Sequence, residues 1–130
     1  MIKALIFDFD GVIHDTFEIC YRINNLIHNP NYPRLSVEDY RDMHNGNIYE
    51  HHRITDESTE RFFELLAEEF KDLKIQEDIR QELLLLKKRF PLFIISSSKE
   101  SILNNYFATN QAADLFTQIL GLETHKSKLE

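Results

Sequence analysis

The sequence predicts an α/β protein in which short parallel strands alternate with helices and a long helical insert follows the first strand. Two apolar runs, Ala4–Phe7 and Leu92–Ile95, are continuous and too short for helices, a pattern typical of strands covered on both faces. Between these runs, apolar residues recur at helical spacing over several segments. Strands that alternate with helices pair in parallel through right-handed crossovers, so we expect a parallel sheet.

Length and composition exclude several classes of protein. A chain of 130 residues makes one domain, or one domain with a small insert. The net charge of −7 argues against a nucleic-acid binder, which needs a basic face. The apolar runs are far shorter than the ~18 residues that span a bilayer, and the first residues lack the pattern of a signal peptide. A lone Cys20 cannot form an internal disulfide, so we expect the protein to reside in the reducing cytoplasm.

The insert is predicted to be helical. Apolar spacing indicates a helix from Thr16 to about His28. Ser36, with an acid three residues later, has the form of a capping box and predicts a short helix to about residue 44. Thr55 or Asp56 is expected to cap the next helix. The predicted organisation is a core of residues 1–14 and 78–130 with a helical insert at 15–77.

The second half of the chain predicts two more helices and two more strands. A helix at Gln76–Arg89 precedes the strand Leu92–Ile95. Lys99 to about Ala108 is predicted to be helical, and we expect Ser98 to be its N-cap. Leu115–Leu120 is predicted to be a third strand, closed by Gly121.

Polar side chains follow each predicted strand. Asp8 and Asp10 follow the first strand, Ser96–Ser98 the second, and Lys126 and Lys128 lie beyond the third. In open parallel sheets, ligands bind outside the carboxyl ends of the strands. Carboxylates suit Mg²⁺, and a carboxylate can attack phosphorus to give an aspartyl-phosphate. Two acids, a hydroxyl and an ammonium group could therefore handle a phosphoryl group together with a hard cation.

Two motifs resemble those of a known family. Ile6-Phe-Asp8-Phe-Asp10-Gly11-Val-Ile-His-Asp15 is similar to the opening motif of the haloacid dehalogenase superfamily, and Phe93-Ile-Ile-Ser96-Ser-Ser resembles its second motif. The resemblance implies a three-layer Rossmann-like parallel sheet with the insert as an all-helical cap. A second acid at Asp10, which the dehalogenase branch lacks, favours phosphoryl transfer.

The same resemblance implies a role for each matching residue. Asp8 would be the nucleophile and an Mg²⁺ ligand. Asp10 would be the general acid and base, with its backbone carbonyl also on the metal. Ser96 would bind a phosphoryl oxygen, and Lys128 or Lys126 would neutralise charge near Asp8. The implied phosphate-binding set is Gly11, Ser96, Ser97 and Lys128.

The resemblance is incomplete at the C-terminal end of the chain. The family has a fourth motif, an acidic pair after a further strand, and this chain ends at Glu130 before such a strand. We therefore expect a fragment of a longer protein, whose sheet core is incomplete. The first strand would then lie at an open edge, through which the chain could self-associate.

The resulting hypothesis is a Mg²⁺-dependent phosphatase-like hydrolase that acts on a small phosphorylated metabolite through an aspartyl-phosphate, although this chain alone could be inactive. The alternatives are a phosphomutase acting on a sugar phosphate and a truncated, non-catalytic module that binds phosphate or Mg²⁺. His44, Asn45 and Asn47 in the insert could select the substrate or form an ordinary polar loop. Ser96 could instead belong to a helix cap, and the two lysines could be surface charges.

Overall fold

The computed structural model describes residues 1–27, 30–46, 48, 51 and 53–124. Its strands and helices lie close to the predicted positions. In chain order they are β1 (Leu5–Phe7), α1 (Phe17–Leu26), α2 (Val37–Asp42), α3 (Asp56–Phe70), α4 (Glu77–Lys87), β2 (Leu92–Ile95), α5 (Glu100–Thr109) and β3 (Gln118–Leu120). None of the helices in these ranges is both long enough and apolar enough to cross a membrane.

The strands form a parallel sheet in the order β1-β2-β3, which confirms the predicted α/β class. Leu5 pairs with Leu92, and Phe93 pairs with Gln118. The third strand begins three residues later than predicted. Ala113–Leu115 form a 3₁₀ turn, so the apolar residues at the start of the predicted strand pack in the core as part of a turn instead.

The two faces of the sheet are covered to different extents. The side chains of Leu92 and Ile94 are fully buried, whereas Phe93 and Ile95, which point to the other face, are half-buried. Both crossovers run in the same direction along the sheet, so right-handed connections place α4 and α5 on one face. Ile6 of the outer strand β1 is 65% exposed. In the described part of the chain, β1 therefore has an open edge and one sparsely covered face, as the incomplete core predicted.

The chain divides into two compact units, residues 1–16 with 70–130, and residues 17–69. An aromatic cluster forms the centre of the first unit. The ring of Phe9 packs edge-on against Tyr106 and Phe107, with centroids 5.0 Å and 5.8 Å away, and none of the three residues has exposed surface. The predicted bounds of the insert, residues 15 and 77, remain a prediction.

The second unit begins its helices with two side-chain caps. The Ser36 hydroxyl accepts from the Asp39 N–H and the Asp39 carboxylate accepts from the Ser36 N–H, which confirms the predicted capping box. Thr55 caps α3 in the same way: its hydroxyl accepts from the Ser58 N–H at 3.0 Å, and the Ser58 hydroxyl accepts from the Thr55 N–H at 2.9 Å. Of the two residues considered, Thr55 is the cap, and Asp56 is the first helical residue.

A buried asparagine ties the segment before α4 to the end of α5. Asn110 is 8% exposed, and its Oδ1 accepts from the Ile75 N–H at 2.8 Å. Its Nδ2 donates to the carbonyls of Leu73 and Tyr106 at 3.0 Å and 2.8 Å. All these residues belong to the first unit, so Asn110 stabilises the core that carries the sheet.

Candidate active site

Polar residues meet at the carboxyl edge of the sheet. Asp8 follows the last residue of β1, and Ser96 follows the last residue of β2. Since the strands are parallel, with Phe7 paired to Ile94, both residues leave the sheet at the same edge. The sheet therefore places the first two predicted motifs side by side, as their positions after consecutive strands indicated.

Asp8 occupies the first position beyond β1. Its side chain is half-buried, and its Oδ1 accepts from the N–H of Phe9 at 2.7 Å. Phe9 is itself fixed by complete burial in the aromatic cluster. The carboxylate of Asp8 is thus held by the backbone of a fully buried residue.

The carboxylate of Asp10 accepts hydrogen bonds from two hydroxyl groups that lie far apart in the sequence. The Oγ1 of Thr16 donates to Oδ1 of Asp10 at 2.5 Å, and the Oγ of Ser98 donates to Oδ2 at 3.5 Å. Thr16 is 1% exposed and Ser98 7% exposed, so both hydrogen bonds lie largely out of water. This geometry orients the Asp10 carboxylate.

The loop from Phe9 to Thr16 is tightly closed by its own backbone. The carbonyl of Phe9 accepts from the N–H groups of Val12, Ile13 and His14 at 2.9–3.3 Å. Gly11 has a φ of +77°, a left-handed conformation that favours glycine, and its N–H donates to the His14 carbonyl at 2.8 Å. A phosphate contact through the Gly11 N–H would have to compete with that hydrogen bond.

The serine triplet after β2 forms a compact turn. The N–H of Ser96 donates to the Leu120 carbonyl at 2.9 Å, and its Oγ accepts from the Ser98 N–H at 3.1 Å. Ser96 has no exposed surface, and Ser97 is half-buried. The expectation that Ser98 caps α5 is wrong: the cap position is Lys99, with no side-chain cap bond, because the Ser98 hydroxyl is directed to Asp10.

The loop after β3 packs closely against this turn. A Cβ at Gly121 would lie 2.5 Å from the Ser98 carbonyl oxygen and 2.7 Å from the Glu100 nitrogen, so only glycine fits there. The Gly121 N–H donates to Glu100 Oε1 at 3.0 Å, and Glu123 Oε2 accepts from the Glu100 N–H at 2.8 Å. The start of α5 and the end of β3 are therefore joined by carboxylates that accept backbone N–H groups.

The half-buried His14 contacts the fully buried Tyr106. His14 Nδ1 lies 3.0 Å from the Tyr106 hydroxyl, and the two rings meet edge-on. Burial lowers the pKa of His14, although the negative charges of Asp15 and Asp10 act to raise it. Burial also raises the pKa of Tyr106 to about 12. The pair therefore favours a neutral imidazole that is hydrogen-bonded to a neutral phenol.

The structure does not describe every predicted site residue. Lys126, Lys128 and Asn47 lie outside the described residues. His44 and Asn45 are exposed and belong to the second unit, where His44 Nδ1 lies 2.9 Å from the Tyr40 carbonyl oxygen. In the described ranges, no three His, Cys, Asp or Glu side chains are grouped so that they could hold a metal ion.

Sequence reasoning did not identify Thr16, or Ser98 as a partner of Asp10. Thr16 was interpreted only as the start of a helix, and no periodic pattern links a hydroxyl to a carboxylate six residues earlier. The hydrogen bond of Ser98 spans 88 residues of sequence. A polar residue at an otherwise apolar, buried position would be the signal, but burial is known only from the structure.

Comparisons with known proteins identify the family. The profile of the family "Haloacid dehalogenase-like hydrolase" matches residues 5–128. A solved structure described as a predicted phosphoglycolate phosphatase from Haemophilus somnus is similar with a TM-score of 0.72 at 15% identity, over 96% of this chain and 64% of that one. No curated protein matches the chain.

Two further solved structures share the fold. CbbY from Rhodobacter sphaeroides, in complex with phosphate, has a TM-score of 0.67 at 19% identity, over 98% of this chain and 67% of that one. A Thermotoga maritima protein provisionally described as a beta-phosphoglucomutase has a TM-score of 0.60 at 20% identity, over 97% of this chain and 64% of that one. The chain thus spans about two thirds of the length of these structures or slightly less.

Proposed function

Because this chain belongs to the haloacid dehalogenase-like hydrolase family, we propose that it is the nucleophile-bearing part of a phosphatase that hydrolyses phosphoric monoesters. The observation that carries the proposal is the arrangement at the sheet edge. Asp8 follows β1, and the carboxylate of the neighbouring Asp10 is oriented by Thr16 and Ser98. Two neighbouring carboxylates suit this reaction, because one can attack phosphorus while the other, oriented by separate hydrogen bonds, transfers the proton.

In the proposed reaction, the Asp8 carboxylate attacks phosphorus and the bond from phosphorus to the leaving oxygen breaks. Asp10 donates its proton to that oxygen, so the alcohol leaves neutral. Asp10 then accepts a proton from water as the water oxygen attacks the aspartyl-phosphate. The bond between Asp8 and phosphorus breaks, inorganic phosphate is released, and both carboxyl groups return to their starting states.

The donor atoms at this edge suit Mg²⁺. The Asp8 carboxylate and the Asp10 backbone carbonyl would hold it, because Mg²⁺ prefers oxygen ligands and is usually bound by one or two carboxylates, several waters and substrate phosphate. When bound, Mg²⁺ would stabilise the negative charge of the transferring phosphoryl group.

Other residues of the edge would bind the phosphoryl group. The Oγ of Ser96 already accepts from the Ser98 N–H, so its proton can be donated to a phosphoryl oxygen, although Ser96 is fully buried and must first become accessible. Ser97 is half-buried and next to it. Lys128, or Lys126, would supply the positive charge opposite Asp8, as the family resemblance implies.

The substrate class follows from composition and from the insert. We propose a small phosphorylated metabolite, since the helical insert predicted at residues 15–77 corresponds to a cap, with His44, Asn45 and Asn47 as candidates for substrate contact. A net charge of −7 argues against nucleic acid. The lone Cys20 favours the cytoplasm. The open edge at β1, where Ile6 is exposed, favours self-association.

The nucleophile assignment can be tested by combining a phosphate mimic with turnover. The full 130-residue chain is given Mg²⁺ and beryllium fluoride, and bound fluoride is observed by ¹⁹F NMR, alongside hydrolysis of 4-nitrophenyl phosphate. We expect a bound-fluoride signal that Asp8→Asn abolishes and that Asp42→Asn, a change at an exposed acid of α2, preserves. Hydrolysis that survives Asp8→Asn would contradict the assignment.

A non-catalytic module is the second candidate. An unsubstituted chain that shows neither hydrolysis nor bound fluoride would support this candidate. Product analysis with a sugar monophosphate separates hydrolysis, which releases phosphate, from a phosphomutase, which yields an isomer.

A further inference from the structure

The second unit contains a pocket between α1, α3 and the segments that connect them. Asn24 lines it from α1, and Ser58 lines it from the first turn of α3. Every described residue of the lining belongs to residues 17–69. The space between the side chains is about 390 Å³, including the part open to solvent, so the enclosed part admits only a small molecule.

The lining of this pocket combines apolar side chains with one positive charge. The apolar side chains are those of Ile27, Leu35, Met43 and Ile54, and the charge is that of Arg53. No acidic residue occurs in the described part of the lining, although the chain has 22 Asp and Glu against 15 Lys and Arg. A single positive charge in an otherwise neutral pocket favours a singly charged anion.

The guanidinium group of Arg53 is held in place without being neutralised by a carboxylate. Arg53 is half-buried, its Cζ lies 5.1 Å from the centroid of the Tyr32 ring, and its Nη1 donates to the Pro33 carbonyl at 3.2 Å. The ion pairs between described residues involve other arginines. A guanidinium has five N–H donors in one plane, so donors remain for a ligand while its face lies on the aromatic ring.

Hydrogen bonds fix the wall of the pocket that Leu35 provides. The Oδ1 of Asn25 accepts from the Leu35 N–H at 3.2 Å, and its Nδ2 donates to the Leu35 carbonyl at 3.4 Å. The Tyr21 hydroxyl donates to the same carbonyl at 2.9 Å. The segment around Leu35 is therefore held against α1 without a ligand, and a site formed in advance loses less conformational entropy on binding.

We propose that this pocket binds a small aliphatic monocarboxylate. Its two oxygens would accept parallel hydrogen bonds from Arg53, because the planar guanidinium matches the geometry of a carboxylate. Its hydrocarbon chain would leave water for the apolar side chains. A phosphate dianion fits less well, because it brings two charges to one guanidinium and gains nothing from the apolar lining. The site shares no residue with the catalytic set proposed above, which belongs to the first unit, so it does not depend on that function.

Binding is measured by titrating the ¹⁵N-labelled full chain with butyrate at constant ionic strength. The Nε–H resonance of Arg53 is identified by its absence in Arg53→Gln. We expect butyrate to shift this resonance until the site is saturated, and butyramide, a neutral molecule of the same size, to leave it in place. The affinity should rise from acetate to propionate to butyrate, by about 3–4-fold for each added methylene group.

Two variants and a matched control locate the site. Arg53→Gln should weaken butyrate binding about 10–100-fold, measured on the backbone resonances of Asn24 and Ile54. Arg53→Lys keeps the charge without the paired donors, so its affinity should lie between those of Arg53→Gln and the unsubstituted chain. The control Arg61→Gln removes an exposed arginine of α3 that pairs with Glu64, and it should leave the affinity unchanged.

Two results would overturn the proposal. One is an affinity for butyrate that Arg53→Gln does not lower. The other is an affinity of the unsubstituted chain that is independent of the length of the carboxylate or is matched by inorganic phosphate, because an arginine on an open surface would behave in that way. This second result needs no variant, so it decides the question even where Arg53→Gln fails to fold.

Discussion

Asn110 offers a stringent test of the core because its side chain makes three hydrogen bonds with three different residues. Asn110→Ala removes the acceptor for the Ile75 N–H and the donors to the carbonyls of Leu73 and Tyr106. The bond from Arg80 to the backbone carbonyl of Asn110, at 2.8 Å, does not depend on the side chain. The substitution therefore isolates the contribution of the amide group.

The expected cost follows from these bonds. Each intramolecular hydrogen bond contributes about 1 kcal/mol net, so losing three lowers the free energy of unfolding by about 3 kcal/mol. For a chain of this size that corresponds to a fall in Tm of about 10 °C. Asn110→Asp should cost at least as much, because its carboxylate would face the carbonyl oxygens of Leu73 and Tyr106 without a donor.

Urea unfolding followed by circular dichroism measures this loss. The matched control is Asn105→Ala, an exposed asparagine on the same helix, which should change the free energy of unfolding by less than about 0.5 kcal/mol. A loss below about 1 kcal/mol for Asn110→Ala, or an Asn110→Asp variant as stable as the wild type, would refute the reasoning from hydrogen bonds.

The remaining predictions concern pH and close packing. Because burial lowers the pKa of His14, the unfolded chain binds a proton at this residue more tightly than the folded chain does. The urea midpoint should therefore fall as the pH drops through 6.5. His14→Asn should flatten that fall, whereas the control His44→Asn, at an exposed histidine, should not. Because burial raises the pKa of Tyr106 to about 12, stability should be lost as pH rises from 10 towards 12, and Tyr106→Phe should remove this loss. Gly121→Ala would place a Cβ 2.5 Å from the Ser98 carbonyl, so thermal melts should show a loss of about 1–3 kcal/mol; an unchanged Tm would show that the loop has room.

Features encoded by neighbouring residues were predictable from sequence. The capping box at Ser36 depends on an acid three residues away, and the strand at Leu92–Ile95 on a continuous apolar run, and both lie where predicted. The order of Asp8 and Ser96 after consecutive parallel strands was enough to place them at one edge. In each case the physical cause lies within a few residues of the pattern.

Features that depend on distant partners were not predictable. Serine is a residue type that commonly caps helices, but the hydroxyl of Ser98 donates to Asp10, 88 residues earlier. The beginning of the third strand was misplaced because apolar residues such as Leu115 are buried equally well in a 3₁₀ turn as in a strand. Apolar pattern reports burial, and it identifies the backbone conformation only where the run is long or strictly periodic.

The strand pairing has a consequence for the order in which the protein assembles. Leu5 pairs with Leu92, whereas Phe93 pairs with Gln118, so the first pairing closes a loop more than three times as long as the second. At about 0.6 kcal/mol per doubling of loop length, the longer loop adds roughly 1 kcal/mol to the entropic cost of pairing β1 with β2. When the complete chain refolds, the segment that carries the two aspartates should therefore be the last part of the sheet to acquire its native neighbours.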